Sequence, residues 1–166
     1  MLLTTEYDDD HGVRLAEAAK SLAAARSVDE IVAVLCRTAR DIVGSDGIAV
    51  VLREGDLCHY AAEDAIEPLW RGARFPMTEC VSGWAMLNAR TAVIPDLESD
   101  PRVPQIAYRR TSMRSLAMVP MGSPEPVAAL GAYWCAYIEP DESTVRRLEI
   151  LAQVATIAFE RLSPSA

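Results

Sequence analysis

Ile48-Ala49-Val50-Val51-Leu52-Arg53-Glu54-Gly55-Asp56-Leu57-Cys58-His59-Tyr60-Ala61-Ala62 reads as two short, largely apolar runs on either side of a three-residue connection with glycine at its centre. A connection this short joins neighbouring strands into a hairpin, because only an antiparallel pair can be closed by so few residues. The pattern predicts strands over residues 48–53 and 57–62, with adjacent side chains such as Cys58 and His59 on opposite faces. An antiparallel sheet is therefore the starting point for the rest of the chain.

Upstream of the hairpin lie two helical patterns. Residues 12–25 are rich in Ala and Leu. Ser27 then stands three residues before Glu30, the spacing at which each side chain can satisfy a free backbone N–H of a helix start. Ile31, Val34, Leu35, Thr38 and Ile42 follow at helical spacing, and Gly44 stops the helix. Downstream the chain is less regular. Residues 68–75, with Trp70 and two arginines, read as irregular or as a short helical piece. Residues 77–89 predict a short helix entered through Thr78, with Val81, Trp84, Ala85 and Leu87 facing inward. A brief strand over 91–94 leads into a turn-rich stretch, where Pro95, Pro101 and Pro104 forbid a continuous helix. Strands over 115–119 and 127–137 flank a turn at Gly122-Ser123-Pro124. The chain closes with a helix over 141–162, opened by Pro140 and Asp141, whose apolar stripe is Val145, Leu148, Ala152, Ala155, Phe159 and Leu162. Strands do not alternate regularly with helices, so an α+β fold with an antiparallel sheet is expected in place of a doubly wound one.

Length and composition bound the function. The 166 residues suit a single domain, 51% hydrophobic and 24% charged, which is globular in character. A net charge of −8 repels a phosphate backbone and argues against nucleic acid as a partner. Cys36, Cys58, Cys80 and Cys135 form no C-x-x-C pair and match no zinc or disulfide framework, so buried thiols in a reducing compartment are expected. The N-terminal segment has two leucines and then an acidic run, unlike a signal peptide or membrane anchor. No stretch reaches the roughly 18 uninterrupted apolar residues of a membrane span. A cytoplasmic protein follows as the expectation, with residues 1–11 loosely ordered, a single domain over 12–162 and a tail over 163–166.

Phe75-Pro76-Met77-Thr78-Glu79-Cys80-Val81-Ser82-Gly83-Trp84-Ala85 resembles the central segment of GAF domains. Thr91-Ala92-Val93-Ile94-Pro95-Asp96, Arg114-Ser115-Leu116-Ala117-Met118-Val119-Pro120 and Leu130-Gly131-Ala132-Tyr133-Trp134 are similar to later strands of that family, in the same order. Pro140-Asp141-Glu142 resembles the opening of its last helix. The likeness spans residues 16–162, and residues 76–121 look closest to sensor modules attached to bacterial histidine kinases. The resemblance implies a six-stranded antiparallel sheet. The terminal helices would lie on one face, and the irregular middle would roof a pocket on the other.

It also allows sharper functions to be weighed. Bilin-binding members carry a thioether cysteine followed by histidine before the Arg114 strand; the corresponding place, around Pro104 and Gln105, has neither, so no covalent bilin is expected. The Asn-Lys, Phe and Asp-Glu signature of cyclic-nucleotide binders is missing, since Asn88 is followed by alanine. Free methionine sulfoxide reductases need a thiolate and a resolving cysteine. The nucleophile falls at Ser82, two residues beyond Cys80, and residues 95–113 hold no cysteine. The chain is accordingly not expected to be an enzyme. His11 and His59 stand beside no nucleophile, and Asp96, Glu98 and Asp100 lack the pattern of a calcium loop, so no metal is expected. What remains is a non-covalent pocket lined by Trp70, Phe75, Trp84, Ile106, Tyr108, Met118 and Tyr133. Arg102, Arg109 and Arg114 are candidates to anchor an anionic ligand. The alternative for the aromatic and Met residues is plain core. Leu151, Val154 and Ile157 lie off the main stripe of the last helix and suggest a homodimer through the N- and C-terminal helices. The expectation is a small-molecule-sensing, dimeric module that biases a histidine kinase or another effector. A purely structural dimerisation unit and a methionine sulfoxide reductase-like enzyme stand as alternatives.

Overall fold

The structure is a computed structural model that describes residues 2–163, with side chains from residue 10 onward. Two helices, α1 (Leu2–Ala24) and α2 (Val28–Val43), lead into the hairpin β1 (Gly47–Glu54) and β2 (Leu57–Ala65). An edge strand β3 (Arg74–Pro76), a 3-10 turn (Met77–Glu79) and α3 (Val81–Asn88) follow. Next come β4 (Ala92–Ile94), a second 3-10 turn (Leu97–Ser99), α4 (Gln105–Arg109), β5 (Ser115–Met121), β6 (Ala128–Trp134) and α5 (Glu142–Leu162). The six strands form one antiparallel sheet in the order β3-β2-β1-β6-β5-β4, so the α+β class and the β1–β2 hairpin are as the sequence predicts.

The helix ends follow local chemistry. Ser27 Oγ accepts the Glu30 N–H at 3.1 Å, while the Glu30 carboxylate reaches back to the Arg26 N–H. Gly44 takes a left-handed conformation at φ 67° and returns its N–H to the Arg40 carbonyl. The last helix is capped by Asp141, whose carboxylate accepts the Thr144 N–H at 2.8 Å.

Strand alternation divides the interior into two cores. Ile48, Val50, Ala117, Val119, Leu130 and Ala132 face α1, α2 and α5. Ala49, Val51, Leu116, Met118 and Tyr133 face the opposite way, under the segment between β2 and β5. A bulge between Val50 and Val51 leaves Ala61 without a cross-strand partner. It lets Cys58 and Tyr60 face the second core while Ala62 packs toward the helices. The three long helices are tied together at one carbonyl. His11 Nδ1–H and Arg147 Nε–H both donate to the Ile42 oxygen, at 2.9 and 2.8 Å.

Several elements differ from expectation. α1 begins at Leu2, well before Gly12, so residues within the expected loose segment are helical; residues 164–166 of the expected tail lie outside the described residues. The predicted helix over 77–89 is split: Met77–Glu79 is a 3-10 turn, Cys80 is extended at φ −149° and becomes the N-cap of α3, and Leu87 is exposed. Residues 74–76 add an edge strand to the predicted irregular piece, and α4 starts immediately after Pro104. The last strand ends at Trp134, short of Tyr137. On α5, Leu151 is fully buried and Val154 packs against the same core, which leaves Ile157, 59% exposed, outside it. The second stripe is mostly spent within the fold. No helix among the described residues is long and apolar enough to cross a membrane.

Candidate functional site

The second core is where chemistry concentrates. Glu63 on β2 accepts three successive backbone N–H groups, from Leu69 at 2.7 Å, Trp70 at 2.9 Å and Arg71 at 2.7 Å. A carboxylate that gathers three donors fixes the loop tightly, since charge-assisted bonds are about twice as strong as neutral ones. The loop thereby presents Trp70 inward. Its ring stacks on Tyr108 at 4.3 Å between centroids and lies 5.0 Å from Tyr133, while Nε1–H donates to the Ala107 carbonyl at 3.0 Å. Trp70 thus joins the β2 side of the molecule to the short helix α4. Tyr60 meets Trp70 and Phe75 edge-on, at 6.0 and 5.4 Å.

The polar ends of this aromatic group converge. Tyr60 Oη lies 3.1 Å from Ser82 Oγ, and Cys80 Sγ lies 3.3 Å from the same oxygen. The Tyr108 and Tyr133 hydroxyls are buried and lean toward each other, but neither makes a hydrogen bond of ordinary geometry. Burial pushes all three tyrosines well above their usual pKa, so they stand as neutral donors. Gly131 makes this possible on β6, because a Cβ there would come within 2.8 Å of the Tyr133 hydroxyl. Gly83 does the same for α3: a Cβ would collide with the Met77 carbonyl, so only glycine lets the helix start close against the 3-10 turn.

Cys58 from β2 closes the group. Its thiol donates to Met77 Sδ at 3.2 Å, and Cys80 is its neighbour among the titratable groups of this core. The neighbouring Cys58 thiol, the Ser82 hydroxyl and the Gly83 N–H together outweigh burial and hold the Cys80 pKa down to about 7. The neighbouring Cys80, together with burial, pushes the Cys58 thiol up.

The residues singled out in the sequence are only partly brought together. Trp70, Tyr108, Met118 and Tyr133 are buried side by side, with Phe75 half-buried at their edge. Ile106 is 81% exposed and does not line the interior. It borders an outer groove of about 420 Å³ with Phe75, Pro104, Ala107 and Arg110. Trp84 is half-buried and lies beneath the Arg102 guanidinium, 4.4 Å from the ring centroid. The three arginines do not converge. Arg102 pairs with Asp100 through two bonds of 2.7 and 3.0 Å, Arg109 is exposed on α4, and Arg114 donates to the Thr111 and Met113 carbonyls. The sequence marks Cys80 and Ser82 only through the missing nucleophile of the reductases and Cys58 only as an alternating strand residue, and it gives Tyr60 no role. The alternation of β2 places Cys58 and Tyr60 on one face; which face depends on the bulge, which has no sequence signal.

A GAF domain family model matches residues 25–160. Solved structures with the same fold include a free methionine-R-sulfoxide reductase from Neisseria meningitidis in complex with its substrate, 23% identical, with a TM-score of 0.76 over 92% of this chain and 89% of that one. The GAF domain of a phosphoenolpyruvate-protein phosphotransferase from Coxiella burnetii is 13% identical, TM-score 0.76, covering 91% and 94%. The chromophore-binding domain of a bacteriophytochrome from R. palustris is 16% identical, TM-score 0.77, covering 94% and 62%. No curated protein matches the sequence. With the family model covering all six strands and well over half of the chain, the chain belongs to the GAF domain family.

Proposed function

We propose that this domain is a ligand-sensing signalling module whose ligand enters the second core, between Trp70, Tyr108 and Tyr133. The observation that carries this reading is the pair of buried tyrosine hydroxyls without partners. An unpaired buried hydroxyl costs about 1–3 kcal/mol, a cost that a folded chain avoids unless something else meets it. Among the described residues no charged side chain joins the two hydroxyls; Arg102 and Arg114 are engaged elsewhere and Arg109 is exposed. The ligand is accordingly neutral and small, with hydrogen-bonding atoms for Tyr108 and Tyr133 and an apolar body for Trp70 and Met118. Entry runs through the α4 segment, which is five residues long and is tied down by the Trp70–Ala107 bond and by Gln105 Nε2–H donating to the Leu97 carbonyl at 2.9 Å.

Binding would shift α4 and β6, and with them the helices on the opposite face of the sheet, in a cytoplasmic bacterial pathway where an attached or associated effector such as a histidine kinase reads the change. A homodimer through α1 and α5 would carry that output; among the described residues, Val13 and Ile157 are the large apolar side chains exposed on those helices. Native mass spectrometry of the gently purified protein tests both parts. A dimer with an added small mass, lost from the Tyr108→Phe/Tyr133→Phe variant, is expected. A monomer without added mass, unresponsive to a library of neutral metabolites, would overturn the reading.

A further inference from the structure

The outer groove beside α4 plays no part in the ligand reading. A single exposed apolar side chain such as Ile106 would need no explanation. Ile106 is not single. With Pro104 and Ala107 of the α4 segment, and with Ala73 and Phe75 on the β3 side, it walls the groove of about 420 Å³. A space of this order holds a small organic molecule, and its wall is apolar apart from Gln105 and Arg110. Ile106 and Arg110 stand one helical turn apart on the same face, because Arg110 keeps a right-handed helical conformation at the end of α4. Tyr108, between them, is buried in the second core.

Charge decides what fits the groove. Among the described residues no carboxylate lines it. The Arg110 side chain is exposed and has no hydrogen bond or ion pair among the described residues. Arg74, next to Phe75 on the sheet edge, differs, since it is paired with Glu54 at 2.8 Å. Gln105 is committed inward, its Nε2–H groups donating to the Leu97 and Asp100 carbonyls at 2.9 and 3.3 Å. The groove is thus an apolar trough with one uncommitted cation on its wall.

The geometry points to this groove as a binding site for a small amphiphilic carboxylate, its hydrocarbon body lying on Phe75, Ile106 and Ala107 and its head paired with the Arg110 guanidinium. Arginine suits that head, because its planar fork offers a carboxylate two parallel N–H donors. Covering Ile106 and Phe75 together removes apolar surface from water, which holds the body. A chain of net charge −8 repels extended anionic surfaces, which favours a free, singly charged small molecule over a phospholipid bilayer. This occupant is distinct from that of the second core, where no charge is offered, but the two sites share α4. Ala107 lines the groove, while its carbonyl accepts the Trp70 Nε1–H at 3.0 Å. A ligand that bridges Phe75 and Ile106 therefore ties α4 to the β3 edge and restrains the segment over the tyrosines.

This inference does not require the tyrosines to bind anything, and its test is separate. Octanoate, and octanol as its uncharged counterpart, are titrated at neutral pH into the isotope-labelled whole chain and followed by two-dimensional NMR. One saturable site is expected, with amide shifts concentrated at residues 73–75 and 105–111. Octanoate should bind about fivefold more tightly than octanol, the size of one partly exposed ion pair. Arg110→Gln should remove that preference, and Ile106→Ser should weaken both ligands; both side chains are exposed, so neither change threatens the fold. The Tyr108→Phe/Tyr133→Phe variant should bind octanoate as the unaltered chain does, which separates this outcome from that of the second core. Octanol bound as tightly as octanoate, shifts confined to the second core, octanoate affinity unchanged in Arg110→Gln, or no saturable shift below the concentration at which octanoate forms micelles would each overturn the proposal.

Discussion

Glu63 shows how much one side chain can decide. Its carboxylate holds Leu69, Trp70 and Arg71 by their backbone N–H groups, and through them it sets the Trp70 ring against Tyr108. Glu63→Ala is expected to lower stability by about 2–3 kcal/mol, since bonds to a charged group are worth about 1.5–3 kcal/mol each and water recovers part of the loss. Chemical denaturation measures this, and quenched-emission changes at Trp70 should accompany it. Tyr108 and Tyr133 predict the opposite sign. Removing an unpaired buried hydroxyl by Tyr133→Phe should leave thermal stability unchanged or raise it by about 1 kcal/mol. A fall of that size would mean that the hydroxyl is already satisfied within the chain. Gly83→Ala is expected to cost about 1–3 kcal/mol, because the added methyl must displace the Met77 backbone and not a flexible side chain.

At the scale of elements, the best-read parts of the sequence were those with local causes. Ser27 and Glu30 announced α2, Asp141 announced α5, and Glu54-Gly55-Asp56 announced the hairpin; all three lie where the local pattern puts them. The Asp141 cap carries a pH signature. Its carboxyl is held below the usual range, chiefly by the Thr144 N–H. A lowered folded-state pKa means that the contribution is present above the unfolded pKa and fades as pH falls through the folded one. Asp141→Ala should therefore cost about 1 kcal/mol at neutral pH and progressively less below about pH 4. Equal cost at all pH values would contradict the cap. What stayed illegible has non-local causes. β3 is three residues long and exists because β2 offers it an edge; the break at Cys80 comes from the packing of α3 on the Met77 turn; and Ile106, apolar in sequence, was turned outward by the start of α4 after Pro104. That Cys58 and Cys80 share the second core depends on the same break and on the bulge at Ala61, so no spacing rule could bring them there.

For the whole molecule, the sheet is a shared wall between a helical core and an aromatic, thiol-bearing one. The order of elements disclosed the first of these, because three amphipathic helices have one sheet face to cover. The second core was legible as a set of aromatic and Met residues, of which Trp70, Tyr108, Met118 and Tyr133 are buried there, but its charge character was not: of the arginines proposed as anchors, Arg102 is held by Asp100, Arg114 by backbone carbonyls, and Arg109 is exposed. Partition of apolar residues on α5 bears on assembly as well. With Leu151 buried in the chain's own core, little apolar surface on α5 is left for the proposed homodimer, and Ile157→Arg should convert that dimer to monomer with no loss of thermal stability; sedimentation velocity at several concentrations decides it. The central claim is that Tyr108 and Tyr133 await a neutral ligand. The most direct measurement is a thermal-shift screen of small neutral metabolites against the unaltered chain and the Tyr108→Phe/Tyr133→Phe variant. The account predicts at least one compound that raises the Tm of the former and leaves that of the variant unmoved. Compounds that stabilise both equally, or none that stabilises either, would contradict it.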